Sequence, residues 1–299
     1  MPDSAASARS RERIHALLIV CVLAVASLII AVLGASPARV GTVELLGDAR
    51  APGDAAFIAS HRGGAATAPE NTLPAVAEAL AAGFDYVEVD VAVTADGHAV
   101  LMHDATVDRT TDGHGRLDAL TLAQVRALDA GSWFDPAFAG TPVPTFDEFL
   151  DLLAHSTGRA VVELKGEWDA AAATQALDAV HARTLEHRVV VASFDAGTLA
   201  LAAAASDEVS RLLILKSPPE DVVRAAVEAD VRGVIVARKA VLDRPEIVDD
   251  VRRADLRIVV YTLNRDTQWD EVTALGVDGI VTDEPATLSE WQRAVADGG

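Results

Sequence analysis

Short apolar runs alternate with alanine-rich segments along most of the chain after residue 56. The runs are rich in Val, Ile and Leu and have the length of buried strands. Eight strands are predicted: Phe57–Ser60, Tyr86–Val91, Ala160–Leu164, Arg188–Ser193, Arg211–Lys216, Gly233–Ala237, Arg257–Thr262 and Gly279–Thr282. Helical spacing fills most of the intervals, as at Leu73–Ala82, Ala170–His181, Ala196–Ala205 and Pro219–Ala229. This alternation predicts a parallel sheet with right-handed connections.

The number of strands indicates the architecture. Eight strands within a predicted domain of residues 55–299 fit a closed (β/α)8 barrel, the TIM-barrel fold of the α/β class. An open doubly wound sheet is the alternative. No glycine-rich dinucleotide-binding pattern follows the first strand, which weakens that alternative.

One interval, from Val91 to Ala160, is too long for the regular repeat. It opens with a predicted hairpin around the turn Asp96–Gly97. The stretch from about 104 to 144 is rich in Asp, Gly, Thr and Pro, and such irregular insertions in compact domains are usually functional. Because it follows the second barrel strand, we expect this insertion to cover the mouth of the barrel.

An uncharged apolar run precedes the domain. Residues 16–36 are about long enough to cross a bilayer as a helix, and they predict a transmembrane anchor. A cleaved signal peptide is the alternative, since residues 35–38 are small, and the barrel would then be secreted. Residues 37–54 contain Gly and Pro without a clear period and predict a linker.

Positive charge in front of this run predicts its orientation. Arg9, Arg11 and Arg13 lie in residues 1–15, and the positive-inside rule places such a segment in the cytoplasm. The protein is therefore expected in the cell membrane with a single span, and its barrel outside the cytoplasm.

The net charge of the chain limits the classes of molecule that it is expected to bind. There are 45 acidic and 25 basic residues, and the formal net charge is -20. Nucleic acid is not an expected partner, because binding to a phosphate backbone needs clustered Lys and Arg. An enzyme with this charge that acted on phosphates would need local cations, either a metal ion or placed basic side chains.

The second predicted strand carries two acids, Glu88 and Asp90, between valines. Alternate side chains of a strand share a face, so the two carboxylates lie together. On a buried strand they repel each other and are costly to desolvate, and a divalent cation such as Mg²⁺ or Ca²⁺ is the simplest compensation. A solvated edge strand with surface acids is the alternative.

The next predicted strand repeats the pattern with Glu163 and Lys165. Beside the first pair, Glu163 is a natural third metal ligand and Lys165 a natural cation for a phosphate. A salt bridge between these two side chains is the alternative explanation.

Two histidines stand where predicted strands end. His61 follows the first strand and His103 follows the hairpin. Active sites of these barrels collect at the C-terminal ends of the strands, and histidine is the side chain best suited to proton transfer near neutral pH. Both are candidates for acid–base catalysis.

The loop after the first strand adds further candidates. Arg62 offers a guanidinium fork that matches phosphate oxygens. Asn71 or Thr72 is predicted to cap the helix that follows. Glu70 is a candidate metal ligand or a residue that orients the loop of His61 and Arg62.

In order and approximate spacing, these motifs resemble the glycerophosphodiester phosphodiesterase family. The resemblance covers roughly Phe57 to Trp291. It rests on these motifs: His61-Arg62-Gly63, Glu70-Asn71-Thr72, Glu88-x-Asp90, His103-Asp104, Asp108 to Gly113, Pro144-Thr145, Glu163-x-Lys165, Ser193-Phe194 and Gly276 to Pro285.

The resemblance implies a TIM barrel that hydrolyses a glycerophosphodiester to glycerol 3-phosphate and an alcohol. By position, it makes Glu88, Asp90 and Glu163 the metal ligands, His61 and His103 the general acid and base, and Arg62 and Lys165 the phosphate-binding cations. Tyr261 stands where many relatives carry Trp, which keeps an aromatic wall and leaves the substrate preference open.

Two other functions remain open at this point. The same barrel near a membrane fits a phospholipase D-like activity on lysophospholipids. A catalytically dead barrel that serves as a binding module at the cell surface is the second, and the intact set of motifs is against it.

Overall fold

The computed structural model describes residues 45–298, and within them eight parallel strands close into a barrel. The nine strands of the sheet are β1 Phe57–Ser60, β2 Tyr86–Val93, β3 Ala99–Leu101, β4 Arg159–Leu164, β5 Val189–Ser193, β6 Ser210–Leu215, β7 Gly233–Ala237, β8 Arg257–Tyr261 and β9 Gly279–Thr282. The barrel closes because β1 pairs in parallel with both β9 and β2. The predicted TIM barrel is confirmed, and the open doubly wound sheet is wrong.

Strand β3 stands outside the barrel. It pairs antiparallel with the end of β2 and forms the predicted hairpin. This pairing extends β2 to Val93, two residues beyond its predicted end at Val91.

Ten α-helices of four residues or more lie within the described range, most of them between consecutive strands. They are α1 Leu73–Ala82, α2 Leu122–Val125, α3 Phe146–Ala154, α4 Ala170–His181, α5 Ala196–Ala205, α6 Val222–Glu228, α7 Arg238–Asp243, α8 Glu246–Arg253, α9 Asp266–Thr273 and α10 Pro285–Gly298. Helix α3 begins with a capping box in which Thr145 and Glu148 satisfy each other's backbone N–H groups.

The alternation of side chains along each strand divides the core into two layers. Residues such as Val87 and Val89 of β2 face the surrounding helices. Phe57, Tyr86 and Val161 belong to a separate cluster that fills the barrel interior. Since Tyr86 faces inward, Glu88 and Asp90 continue on the same inner face toward the C-terminal end of the strand.

The N-terminal end of the barrel is closed by the residues just before β1. Leu45 and Leu46 are buried in the interior cluster. The Tyr86 hydroxyl donates to the Leu45 carbonyl oxygen, and Arg257 Nε donates to the Gly47 carbonyl oxygen at 2.9 Å. The predicted linker, residues 37–54, is described from residue 45 onward, and this part packs against the barrel.

The long connection between β3 and α3 has a small apolar core of its own. It is built from buried side chains that include Met102, Val107, Leu117, Val125 and Val143. Its regular backbone structure consists of two isolated β-bridges, the short helix α2 and two 3-10 helices, Leu117–Ala119 and Pro136–Phe138. This region contains the predicted insertion, 104–144, and lies beside the C-terminal end of β2.

Among residues 45–298, no helix has both the length and the apolar character needed to span a bilayer. The predicted anchor, 16–36, the preceding residues and the first part of the linker lie outside the described residues.

Candidate active site

Three acidic side chains meet inside the C-terminal end of the barrel. Glu88 and Asp90 of β2 are 5% and 1% exposed. Asp90 is paired in register with Glu163 of β4, so the two carboxylates stand side by side on neighbouring strands. One carboxylate oxygen from each of the three lies within 4.8 Å of the others. The structure therefore brings together the three predicted ligands.

In this trio the protein compensates the charge of Asp90 but not those of Glu88 and Glu163. Burial, followed by the charge of Asp90, raises the pKa of Glu88 to about 8 and that of Glu163 to about 7. Burial also acts to raise the pKa of Asp90, but the cations of Lys165 and Arg62 outweigh it and lower that pKa. A buried set of carboxylate oxygens that holds protons this strongly fits a hard divalent cation such as Mg²⁺ or Ca²⁺.

Lys165 lies against two of these acids. Its Nζ is 2.7 Å from Glu163 Oε1 and 3.2 Å from Asp90 Oδ1. Neither oxygen has a hydrogen bond of good geometry in the described part of the chain. The ammonium also stands 5.6 Å from the centre of the Phe194 ring. Lys165 is thus both paired with Glu163, as one interpretation predicted, and placed at the cavity, as the other required.

Arg62 is held by a strained turn directly after β1. Its φ is 54°, in the left-handed region, and the turn continues through Gly63 at φ 85°. A Cβ at Gly63 would come within 2.9 Å of Ala75 Cβ, so only glycine fits there. The turn brings the Arg62 backbone N–H to Glu88 Oε2 at 2.8 Å and Arg62 Nε to 3.3 Å from Asp90 Oδ2.

His61 is oriented by an aspartate from the other end of the chain. Its Nδ1 is 2.6 Å from Asp283 Oδ1, and its Nε2 is 4.0 Å from Glu88 Oε2. Burial lowers the pKa of His61, but the hydrogen bond to Asp283 and the charge of Glu88 outweigh it and raise the pKa above the usual value. Asn264 Nδ2 in turn donates to Asp283 Oδ2 at 2.6 Å.

His103 has a similar partner next to it in sequence. Its Nδ1 is 2.6 Å from Asp104 Oδ1. Here burial prevails over the charge of Asp90 and the hydrogen bond to Asp104, so the pKa of His103 is lowered. In both histidines the hydrogen bond at Nδ1 leaves Nε2 free of that partner and available for proton transfer.

One cavity of about 160 Å³ connects these groups. Its charged and polar lining includes the following residues: His61, Arg62, Glu88, His103, Glu163 and Lys165. Tyr261 lies on the apolar wall with Phe194, and the two rings meet edge-on at 6.2 Å. Tyr261 is thus placed where an aromatic wall was predicted.

Glu70 lies behind Arg62. Glu70 Oε1 accepts from Arg62 Nη1 at 2.7 Å, and Oε2 accepts from Arg109 Nη1 at 2.7 Å. Burial acts to raise the pKa of Glu70, but the hydrogen bonds and charges of the two arginines outweigh it and lower the pKa. Of the two predicted roles, these contacts support the one that orients the loop.

The sequence analysis missed three groups that support the site: Asn71, Asp283 and Arg109. The Asn71 side chain brackets Asp90, donating to Oδ2 at 2.8 Å and accepting from its N–H at 3.0 Å. Of the two candidates for the helix cap, Thr72 occupies the N-cap position, without a side-chain capping bond, and Asn71 does not. Asn71 has a φ of 55°, a conformation that Asn tolerates better than most residues. The signal that the sequence offered for all three groups was their place in the motifs that resemble the family.

The model of the glycerophosphoryl diester phosphodiesterase family matches residues 61–287. The chain belongs to this family. As a member of this family it is a phosphoric diester hydrolase. This assignment argues against the alternative of a catalytically dead binding module.

Relatives of the family support the assignment over nearly the whole barrel. A glycerophosphodiester phosphodiesterase of Caldanaerobacter subterraneus subsp. tengcongensis is 30% identical over 79% of this chain and 98% of its own. The crystal structure of a glycerophosphodiester phosphodiesterase from Agrobacterium tumefaciens has 31% identity and a TM-score of 0.69, covering 79% of this chain and 99% of that one.

A third relative was solved with a product bound. It is an Oleispira antarctica phosphodiesterase in complex with the product sn-glycerol-3-phosphate. It has 25% identity and a TM-score of 0.71, and it covers 79% of this chain and 96% of that one.

Proposed function

We propose that the protein hydrolyses glycerophosphodiesters to glycerol 3-phosphate and an alcohol, and that this reaction depends on a divalent metal ion. The observation that carries the proposal is the joint geometry of the cavity. Two aspartate-oriented histidines, two cations, Glu88 and Glu163 line one cavity, and Asp90 completes the acidic trio within 4.8 Å of the other two carboxylates. The product bound to the Oleispira antarctica relative is the class of product proposed for this chain.

The metal ion would be held by Glu88, Asp90 and Glu163. The ion, Mg²⁺ or Ca²⁺, would neutralise charge on the phosphate oxygens as the transition state forms. Arg62 and Lys165 line the same cavity and add fixed positive charge to it. Together with the ion they would supply local positive charge for an anionic phosphodiester in a chain whose formal net charge is -20.

The histidines would move the protons. One Nε2 removes a proton from the nucleophile, which is water or the hydroxyl of the substrate itself, as its oxygen bonds to phosphorus. The other Nε2 protonates the alcohol oxygen as its bond to phosphorus breaks. Attack by the substrate hydroxyl would form a cyclic phosphate, which water then opens to glycerol 3-phosphate with the two histidines in exchanged roles. Asp283 and Asp104 keep each ring oriented and stabilise its protonated form.

A metal-by-substrate assay with the full chain tests the proposal. After treatment with EDTA, release of glycerol 3-phosphate from glycerophosphocholine is measured with Mg²⁺, with Ca²⁺ and with neither. Metal-dependent release supports the proposal. Choline release from lysophosphatidylcholine but not from glycerophosphocholine would favour the phospholipase D-like alternative, and no release under any condition would overturn both.

The location of the enzyme is a separate proposal. The uncharged run at 16–36, behind three arginines, supports a single-pass anchor with the barrel outside the cytoplasm. Alkaline extraction of membranes, followed by mass spectrometry of the intact chain, tests it. Release of a shortened chain would favour the cleaved signal peptide.

A further inference from the structure

We infer that Arg109 is a positioning residue for this reaction, and that it ties the His103 side of the site to the Arg62 side. The inference rests on the proposed function, because it assigns a role in the geometry of the proposed acid–base and phosphate-binding groups. Arg109 belongs to the insertion and does not line the cavity described above.

The guanidinium of Arg109 joins two carboxylates. Nε donates to Asp104 Oδ2 at 2.7 Å and Nη2 to Asp104 Oδ1 at 3.1 Å. Nη1 and Nη2 donate to the two oxygens of Glu70 at 2.7 and 2.8 Å. A planar fork can hold two carboxylates at fixed angles in this way, which a lysine ammonium cannot do.

Each carboxylate holds a group of the proposed mechanism. Asp104 is the partner of His103 Nδ1, and Glu70 is the partner of Arg62 Nη1. The contacts therefore form one chain from His103 through Asp104, Arg109 and Glu70 to Arg62. Glu70 is only 9% exposed, so its ion pairs are less screened by water than a surface pair.

Loss of Arg109 would loosen both ends of this chain. Asp104 follows His103 directly and has no barrel strand to fix it, so its carboxylate would be free to turn away from the ring. Glu70 would keep Arg62 alone as a partner among the contacts described. We therefore expect a defect in the chemical step that exceeds the defect in substrate binding.

A matched arginine separates this role from docking of the insertion. Arg126 also lies in the insertion and pairs with both oxygens of Glu148 at 2.7 Å. It also donates to the Val143 carbonyl oxygen at 2.6 Å. Arg126 thus ties the insertion to helix α3 without a contact to His103 or Arg62.

The experiment compares Arg109→Ala, Arg109→Lys and Arg126→Ala in the full chain with glycerophosphocholine as the substrate. For Arg109→Ala we expect kcat to fall by about 10- to 100-fold, with a smaller change in KM, because a misplaced supporting group costs rate of this order. Millimolar guanidinium should restore part of kcat relative to NaCl of equal ionic strength, since Arg109 is 44% exposed and its site is accessible. Arg109→Lys should fall between the wild type and Arg109→Ala.

Thermal unfolding of each variant accompanies the kinetics. Arg126→Ala should lower the melting temperature at least as much as Arg109→Ala and keep kcat near that of the wild type. An unchanged kcat in Arg109→Ala would overturn the inference. So would an equal loss of kcat in Arg126→Ala, or the absence of guanidinium rescue, because the role would then be structural. An inactive wild type would instead overturn the proposed function, and this inference with it.

Discussion

His61 and His103 receive similar support from two different regions of the molecule. His61 and Asp283 follow the paired strands β1 and β9, in which Ala59 is in register with Val281. The closed barrel therefore fixes both partners. His103 and Asp104 are consecutive residues at the start of the insertion, and their outer contacts are ion pairs of Arg109. Backbone pairing positions His61 and Asp283, which we call the barrel side of the site. Ion pairs between charged side chains position His103 and Asp104, which we call the insertion side.

The largest effect is expected when either ring is removed. His61→Ala and His103→Ala should each lower kcat by about 10²- to 10⁴-fold, the usual contribution of a positioned acid or base. Both variants should keep the circular dichroism spectrum of the wild type. Full activity in one of these variants would remove that histidine from the mechanism, and only one side of the site would then supply an acid or base.

The aspartate partners should distinguish the two sides. Asp283→Asn and Asp104→Asn should each lower kcat by about 10- to 100-fold, as for other groups that orient a functional side chain. Asp104 is also one of the two carboxylates that bind Arg109. Asp104→Asn should therefore lower the melting temperature of the protein more than Asp283→Asn does. Kinetics and calorimetry on both variants test this. A larger fall in melting temperature for Asp283→Asn than for Asp104→Asn would contradict the view that charged side chains hold the insertion side.

Without metal, the acidic trio should make stability depend on pH. The pKa values of Glu88 and Glu163, about 8 and about 7, lie above the unfolded value of 4.5, so between these limits the folded chain binds more protons than the unfolded chain. The contribution of these two groups to stability is thus complete below pH 4.5 and is lost as the pH rises toward 8. In EDTA the melting temperature should fall over this range.

Saturating Mg²⁺ or Ca²⁺ should reduce that fall, because the ion binds the ionised carboxylates of the folded state. Glu88→Gln is the control variant and should show a smaller fall in EDTA than the wild type. Identical pH profiles for the two proteins would contradict the assignment of the titration to this trio.

The smallest effect on activity is expected from packing. Val107→Ala in the insertion core and Val234→Ala in β7 each remove two methyl groups from a fully buried site, at a cost of about 1–2 kcal/mol. The first should lower kcat a few-fold, because the insertion begins directly after His103 and contains its partner Asp104, and the second should leave kcat unchanged. Equal kcat values for Val107→Ala and Val234→Ala would show that packing in the insertion does not affect the position of His103.

Much of the site could be predicted from local pattern alone. Strand alternation placed Glu88 with Asp90 and Glu163 with Lys165, and the structure brings these side chains together at the C-terminal end of the barrel. The partners of the histidines and of Glu70 could not be predicted in the same way. Asp283 meets His61 across 222 positions only because the barrel closes, and no local pattern encodes that register.

The ion pairs of Arg109 depend on a part of the fold that local sequence patterns did not predict. Arg109 reaches Glu70 across 39 positions through an insertion whose turns and short helices follow no period. The bracket of Asn71 around Asp90 similarly requires a positive φ that the sequence permits but does not demand. These contacts arise from tertiary structure, which overrides the local preferences of the residues.

The glycine after Arg62 sets a limit for enzyme engineering. Because Gly63 leaves no room for even a methyl group beside Ala75, the phosphate end of the pocket offers little freedom for redesign. Phe194, which also lines the cavity, is 48% exposed and belongs to no such packed turn. Directed evolution toward other head groups should therefore accumulate changes near Phe194 and Tyr261 and leave the first loop untouched.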